Sequence, residues 1–180
     1  MSRGLGDVYK RQSNNNGKYP FRYRWRENTY GNQNMTAHDL ADIRVDEGDD
    51  QYHLDWYYNR DPRIVSTPAN FTKAVLEDPT KGWEKLGVST PASSYANGYV
   101  KKLEADERFP HVKVPTLTIG GSASTYYCDN AYLVYSSEVR AVRRRGNVAY
   151  GTSAGPRFFH ASAAPSASRW AYGGELFFIQ

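Results

Sequence analysis

The chain has 180 residues, a length typical of one domain, and 39% of them are hydrophobic. No apolar run approaches the roughly eighteen residues that a membrane-spanning helix needs, so no membrane insertion is expected. The net charge of +4 is too small to indicate nucleic-acid binding. Aromatic residues make up 14% of the chain, including 15 Tyr, and Tyr suits both binding surfaces and β-sheets.

The N-terminus looks foreign to the domain. Asp7 to Gln12 matches the translation of a sequencing-transposon end, so residues 1–12 are expected to be an assembly scar. Excluding them removes three basic residues and one acidic residue, which lowers the net charge to about +2. We therefore expect 1–16 to be a disordered scar and linker, and 17–180 to be a single domain whose natural start lies upstream. A natural basic tail is the alternative.

Alternating aromatic and basic residues predict a first strand over 19–25. The apolar spacing of 35–45 predicts a short helix, capped by Thr36. A charged turn at 46–50 is followed by a predicted strand over 51–58.

In the middle of the chain, the Pro near the start of 67–76 predicts a second short helix. Short strands are predicted over 81–87 and 99–103, and the prolines of 109–115 predict an extended segment. Cys128, the only cysteine, is predicted to be a small buried residue. It leaves no disulfide and no Cys-based zinc site.

Strands are predicted at about 131–136 and 138–145, and a last one over 170–178. The second of these contains four arginines, two of which are expected to pair with acids or cover a sheet face. Many short elements with irregular links favour an α+β domain with short antiparallel strands, two short helices and many loops.

The segment 146–174 combines regularly spaced Gly, Pro, Trp and small residues with unrelated side chains between them. Lys, Glu, Gln and Met number 22 in the chain, yet none occurs in this segment, where about three would be expected in proportion. An ordinary Ala/Ser-rich loop is the plain alternative. The residues spaced like a fixed scaffold are Gly146, Gly151, Ala154-Gly155-Pro156, Ala164-Pro165-Ser166, Ser168, Trp170 and Gly173-Gly174.

This pattern resembles the C-terminal variable repeat of target proteins of diversity-generating retroelements. Such repeats are rewritten by mutagenesis of adenines in Asn-rich templates, which reaches Tyr, Arg, His, Phe, Ser and Ala but not Lys, Glu, Gln, Met or Trp. Earlier blocks are similar in the same order, among them Phe21-Arg22-Tyr23-Arg24 and Thr125-Tyr126-Tyr127-Cys128-Asp129. Trp25 stands where the family has Gly, and 33–91 matches poorly.

The resemblance implies a C-type lectin-like domain, a fold that it shares with formylglycine-generating enzymes, and a ligand-binding segment 146–174. It implies a non-enzymatic receptor-binding protein of a phage tail fibre or a bacterial surface adhesin. The expected partner is a protein or glycan receptor on a host cell, with a homotrimer or larger virion assembly as a possible context. The implied ligand-binding residues are Ala149, Tyr150, Ser153, Arg157, Phe159, His160, Ser162, Ala163, Ala167, Arg169 and Ala171, whereas Phe158 is expected in the core and Trp170 as its anchor.

Motifs for catalysis, cofactors or metals are not evident in the sequence. Gly146 and Gly151 have phosphate-loop spacing, but Thr152 stands where Lys is needed. His53-Leu54-Asp55 is interpreted as an accidental neighbourhood, and the acids of 46–50 lack the spacing of a calcium loop. Two other functions stay open: an enzyme of the formylglycine-generating type, although that chemistry needs active-site cysteines, and a structural tail or surface protein without diversification.

Overall fold

A computed structural model describes residues 22–23, 26–27, 34–65, 67–146, 150, 153–155, 157–167 and 172–173. The predicted scar and linker lie outside the described residues, as do Trp170 and most of the strand predicted over 170–178. The first described elements are β1 (Arg22–Tyr23) and β2 (Arg26–Glu27), which pair antiparallel.

The longest strand, β3 (Asn34–Gly48), pairs antiparallel with β4 (Gln51–Tyr58). Only Asp49 and Asp50 separate the two strands, and both have positive φ, 50° and 57°. A two-residue hairpin loop with positive φ at both positions follows the right-handed twist of its strands, and Asp tolerates that conformation. The predicted strand over 51–58 is confirmed, whereas the charged turn predicted at 46–50 is confined to Asp49 and Asp50, because 46–48 belong to β3.

One curled mixed sheet organises the fold. Besides β3 and β4, its strands are β5 (Glu84–Pro91), β6 (Gly98–Tyr99), β9 (Asn130–Leu133), β10 (Arg140–Arg144), β11 (Phe159–Ala161) and β12 (Tyr172–Gly173). Seven strands lie in the order β5-β4-β3-β10-β11-β9-β6, and β12 pairs with the start of β3. Most pairs are antiparallel, but β11 runs parallel to β9, and β12 runs parallel to β3.

A separate hairpin and short helical turns cover this sheet. The hairpin pairs β7 (Lys102–Ala105) with β8 (Lys113–Leu117). The helices are α1 (Pro62–Val65) and α2 (Lys73–Leu76), each of four residues, and three 3-10 turns lie at Pro68–Asn70, Pro79–Lys81 and Ala92–Ser94. Thr72 caps α2 by accepting a hydrogen bond from Val75 N. The helix predicted over 67–76 is therefore split into a 3-10 turn and one α-helical turn.

Both faces of the central strands are buried. Along β4, Leu54, Trp56 and Tyr58 enter one hydrophobic cluster, while Tyr57 enters a second cluster on the opposite face. In the first cluster, Trp56 Nε1 donates to Thr90 Oγ1 at 2.9 Å, so the indole is satisfied where it is buried.

The prediction of an α+β domain with a C-type lectin-like fold is wrong, because the described chain is mostly β. The decisive difference is at 35–45, which forms the middle of β3 instead of a helix. Leu40 packs in the first cluster, while Ala41 and Ile43 pack in the second. A strand buried on both faces carries apolar residues at consecutive positions, and this spacing imitates a helical stripe.

Candidate functional site

Four aromatic rings pack together beside the strands β9 and β11, and we call Tyr132, Tyr150, Phe158 and His160 the aromatic cluster. Tyr132 and Tyr150 stack with ring centroids 5.2 Å apart, and Tyr150 lies 4.9 Å from Phe158. His160 lies 6.2 to 6.4 Å from the other three rings. Aromatic pairs at such distances contribute about 0.5–1.5 kcal/mol beyond their buried area.

The register of three strands positions one side of this cluster. His160 of β11 lies opposite Tyr132 of β9 and opposite Arg143 of β10. Residues directly opposite each other in a sheet share a face, so these three side chains project to the same side. Phe159 and Ala161 project to the other side, into the first hydrophobic cluster.

The turn that follows β10 is fixed by close packing. Gly146 has a φ of +72°, and a β-carbon there would lie 2.6 Å from that of Ala154. A side chain at Gly155 would overlap the carboxylate of Asp129. These three positions, which the sequence marks as scaffold, therefore accept little change, since backbone and neighbours leave no room for larger residues.

Asp129 binds the backbone of the segment 146–174 through its carboxylate. Its Oδ2 accepts the backbone N–H of Arg157 at 2.7 Å, while its side chain is almost completely buried. Burial raises the pKa of the Asp129 carboxyl to about 6, although the N–H and the charge of Arg157 act in the opposite direction. Asp129 is thus a buried, titratable group that binds the backbone of Arg157 and packs against Gly155.

Arg143 binds the backbone of the same segment nearer its C-terminal end. This residue is 1% exposed, and its Nη2 donates to the carbonyl oxygens of Ala164 and Ala167 at 3.3 and 3.4 Å. Arg144 lies over the ring of Phe159, 5.2 Å from its centroid. Two of the four arginines within 138–145 therefore contact the C-terminal segment.

The structure brings several of the predicted ligand-binding residues to the surface. Arg157 is exposed, and Tyr150, Ser153, Ser162, Ala163 and Ala167 are partly exposed. Ser153 Oγ lies 3.4 Å from the hydroxyl of Tyr99, and Ser162 Oγ lies 3.2 Å from His160 Nε2. Ala149, Arg169 and Ala171 lie outside the described residues.

Two predicted ligand-binding residues do not face solvent. Phe159 is 2% exposed and His160 is 7% exposed. Both belong to β11, an interior strand, so one side chain enters the core and the other is covered by the aromatic cluster. The expectation that these two side chains point outward is therefore wrong. The prediction that Phe158 is a core residue is confirmed, since its side chain is fully buried.

Sequence reasoning missed the residues that border the segment. Tyr132 contributes to the aromatic cluster, and Tyr99 reaches Ser153. Tyr126 and Tyr127 are exposed in the loop before Asp129, where Cys128, predicted to be a small buried residue, is only half-buried and has a φ of 58°. The high Tyr content was a signal, but a single sequence does not tell which Tyr residues meet in space.

His53 has closer acidic neighbours than an accidental sequence pair suggests. Its Nε2 lies 3.1 Å from Asp55 Oδ1 and its Nδ1 lies 2.7 Å from Glu47 Oε1, while Lys85 Nζ lies 2.5 Å from Asp55 Oδ2. These four side chains form one polar group that joins β3, β4 and β5. Within the described ranges, no group of three or more His, Cys, Asp or Glu is placed to hold a metal ion.

Comparisons with known proteins give no match to a family model, to a curated protein or to a solved structure. No helix in the described part of the chain is long and apolar enough to cross a membrane.

Proposed function

We propose that the chain is a non-enzymatic receptor-binding protein, a retroelement variable protein whose segment 146–174 is a diversified binding surface. Its receptor is a protein or glycan on a host-cell surface, and the protein is carried by a phage tail fibre or displayed as a bacterial surface adhesin. The chain has a single cysteine, and it lies in a turn, which supports a binding role over formylglycine-type chemistry because that chemistry needs active-site cysteines.

One observation carries this proposal: packing separates the positions of the segment in the way that diversification requires. Gly146, Ala154 and Gly155 fit tightly against their neighbours, whereas Tyr150 and Arg157 lie at the surface between and beside them. A diversified surface needs a backbone that holds its shape while exposed side chains change. Aromatic residues and Arg surrounded by small residues are also typical of interface hot spots.

The burial of Phe159 and His160 removes these two residues from the proposed ligand contacts. Both are reachable by adenine mutagenesis, but their burial means that their side chains support the surface rather than touch a ligand. The proposed contact residues are Tyr150, Ser153, Arg157, Ser162, Ala163 and Ala167, together with Ala149, Arg169 and Ala171, which lie outside the described residues.

Deep sequencing of this locus in its source population tests the proposal. We expect related copies to differ at the proposed contact residues, with replacements restricted to amino acids reachable from Asn codons. Gly146, Gly155 and Pro165 should stay unchanged. Frequent Lys or Glu at 149, 153, 163 or 171, or equal variation across 51–90, would contradict diversification, because surfaces under ordinary drift accept Lys and Glu readily.

A further inference from the structure

The loop 119–128 exposes an unusual amount of apolar surface. Ile119, Tyr126 and Tyr127 are 49%, 61% and 37% exposed, and among the described residues only one other large hydrophobic side chain, that of Val134, is classed as exposed. Scattered exposed apolar residues are ordinary on a protein surface, but here three of the four lie within ten residues of one loop.

This loop keeps a defined shape. Gly121 packs so closely on Tyr99 that a β-carbon would overlap its carbonyl oxygen, and Ser122 Oγ lies 2.7 Å from Thr125 Oγ1. Tyr126 has a φ of 61°, a left-handed conformation that a bulky residue adopts at an energetic cost. The exposed rings are therefore presented by a shaped turn.

The loop adjoins the C-terminal segment at two points. Tyr99 contacts Gly121 through its backbone and Ser153 through its hydroxyl. Asp129, the first residue after the loop, binds the backbone of Arg157 and lies against Gly155. The loop that carries Tyr126 and Tyr127 is thus connected to the segment 146–174 through Tyr99 and Asp129.

Two basic residues lie next to this loop in the structure. The loop itself contains no charged residue, and Asp129, which follows it, is buried. Lys101 Nζ lies 5.4 Å from the centroid of the Tyr126 ring, and Arg157, whose backbone N–H binds Asp129, is exposed. Tyr rings beside cations complement a surface that offers carboxylates and flat side chains.

We propose that the loop 119–128, with Lys101, is a constant second half of the binding surface and that it binds an acidic protein segment. This inference rests on the proposed function, because it assigns a partner to the same surface. The loop supplies the binding energy that every copy shares, and residues such as Tyr150 and Arg157 select among partners.

Binding of a labelled random copolymer of glutamate and tyrosine to the purified full chain tests the proposal, with labelled polylysine as the charge-reversed probe. Fluorescence anisotropy at low and high salt gives the Kd. We expect the copolymer to bind, more weakly at high salt, and polylysine not to bind. A combined Tyr126→Asn and Tyr127→Ser variant should raise the Kd about tenfold, the loss expected for hot-spot aromatic residues.

Asn is chosen at position 126 because it tolerates the left-handed conformation. Lys101→Gln, a single surface change, should raise the Kd and flatten its salt dependence, and it serves as the test where the double variant does not fold. Val134→Ser is the matched control, since Val134 is exposed outside the loop, and it should leave the Kd unchanged.

The outcomes separate this inference from the proposed function. Loop variants that bind like wild type, absence of copolymer binding, or equal binding of polylysine overturn the inference. Self-association that the double variant abolishes also overturns it, because the occupant would then be a second copy of the chain. If Tyr150→Ser and Arg157→Ser leave the Kd unchanged while the loop variants raise it, the loop surface stands and the role of the segment fails.

Discussion

The α-carbon of Gly155 packs directly on the carboxylate of Asp129, so closely that no side chain fits between them. Two residues further on, the N–H of Arg157 donates to the same carboxylate. The shape of the segment thus depends on a backbone contact that side-chain changes at 153 or 157 leave in place.

Gly155→Ala should destabilise the protein by about 1–3 kcal/mol, since the new methyl group must displace Asp129 or the chain beside it. Gly98→Ala is the matched control, because the nearest atom to its β-carbon would be 3.7 Å away, and it should change stability by less than about 1 kcal/mol. Urea unfolding measures both. Equal losses in the two variants would mean that the contact with Asp129 has no special weight.

Asp129 should make stability depend on pH. Its pKa is raised to about 6 when folded, so the folded state holds a proton that the unfolded state has already released. The stabilisation is complete below about pH 4, the ordinary range of an Asp carboxyl, and is lost as the pH rises through about 6. We expect Asp129→Asn to remove a fall of up to about 3 kcal/mol between pH 4 and pH 7, measured by urea unfolding at each pH. An unchanged pH profile in the variant would contradict this assignment.

Asp42, which is buried in the sheet, should also make the protein less stable as the pH rises. Burial raises the pKa of Asp42 well above its ordinary value, against the charge of Arg140, and neither carboxylate oxygen has a hydrogen-bond partner among the described residues. Asp42→Asn should therefore match wild type at acidic pH and become the more stable protein as the pH rises, because the wild type must then ionise a buried group. Thermal unfolding across the pH range measures the difference. A variant that is less stable than wild type at alkaline pH would show that the Asp42 charge is favourably paired.

Substitutions at the neighbouring residues Arg157 and Phe158 should differ sharply in how much they destabilise the protein. Phe158→Ala should destabilise the protein by about 3–5 kcal/mol, since its ring is fully buried in the aromatic cluster. Arg157→Ala should change stability by less than about 0.5 kcal/mol, because the exposed side chain is lost while its backbone N–H still binds Asp129. Denaturant unfolding of both variants tests the contrast. Similar costs would mean that the segment has no division between support and surface.

Local patterns predicted part of this structure. The strand Gln51–Tyr58 was predicted with its observed bounds, because a charged turn and an Asp-Pro pair delimit it. Strands near 131–136 and 138–145 were also predicted, and each is shorter than expected. In contrast, the part of β3 at 35–45 was predicted as a helix, because Leu40 on one buried face and Ala41 and Ile43 on the other have a combined spacing that imitates a helical stripe.

The candidate site is a prediction from sequence composition, and composition did not predict which of its residues are buried. The composition of 146–174 separates Gly146 and Gly155 from Tyr150 and Arg157, and packing gives physical reasons for both glycines. Composition says nothing of β11, because three residues are too short for a periodic signal. Contacts between distant residues, such as Tyr132 with Tyr150, leave no trace in a single sequence.

The interior position of β11 has a consequence for how this chain can change over time. Phe159 lies between β10 and β9, two strands that contribute to the same hydrophobic cluster, so the sheet closes only when residue 159 is apolar and of suitable volume. A copy with Asp or Arg at that position would fail during folding, before any ligand is met. An apolar side chain of suitable volume at position 159 is therefore a requirement for folding, whichever residues occupy the exposed positions on either side of β11.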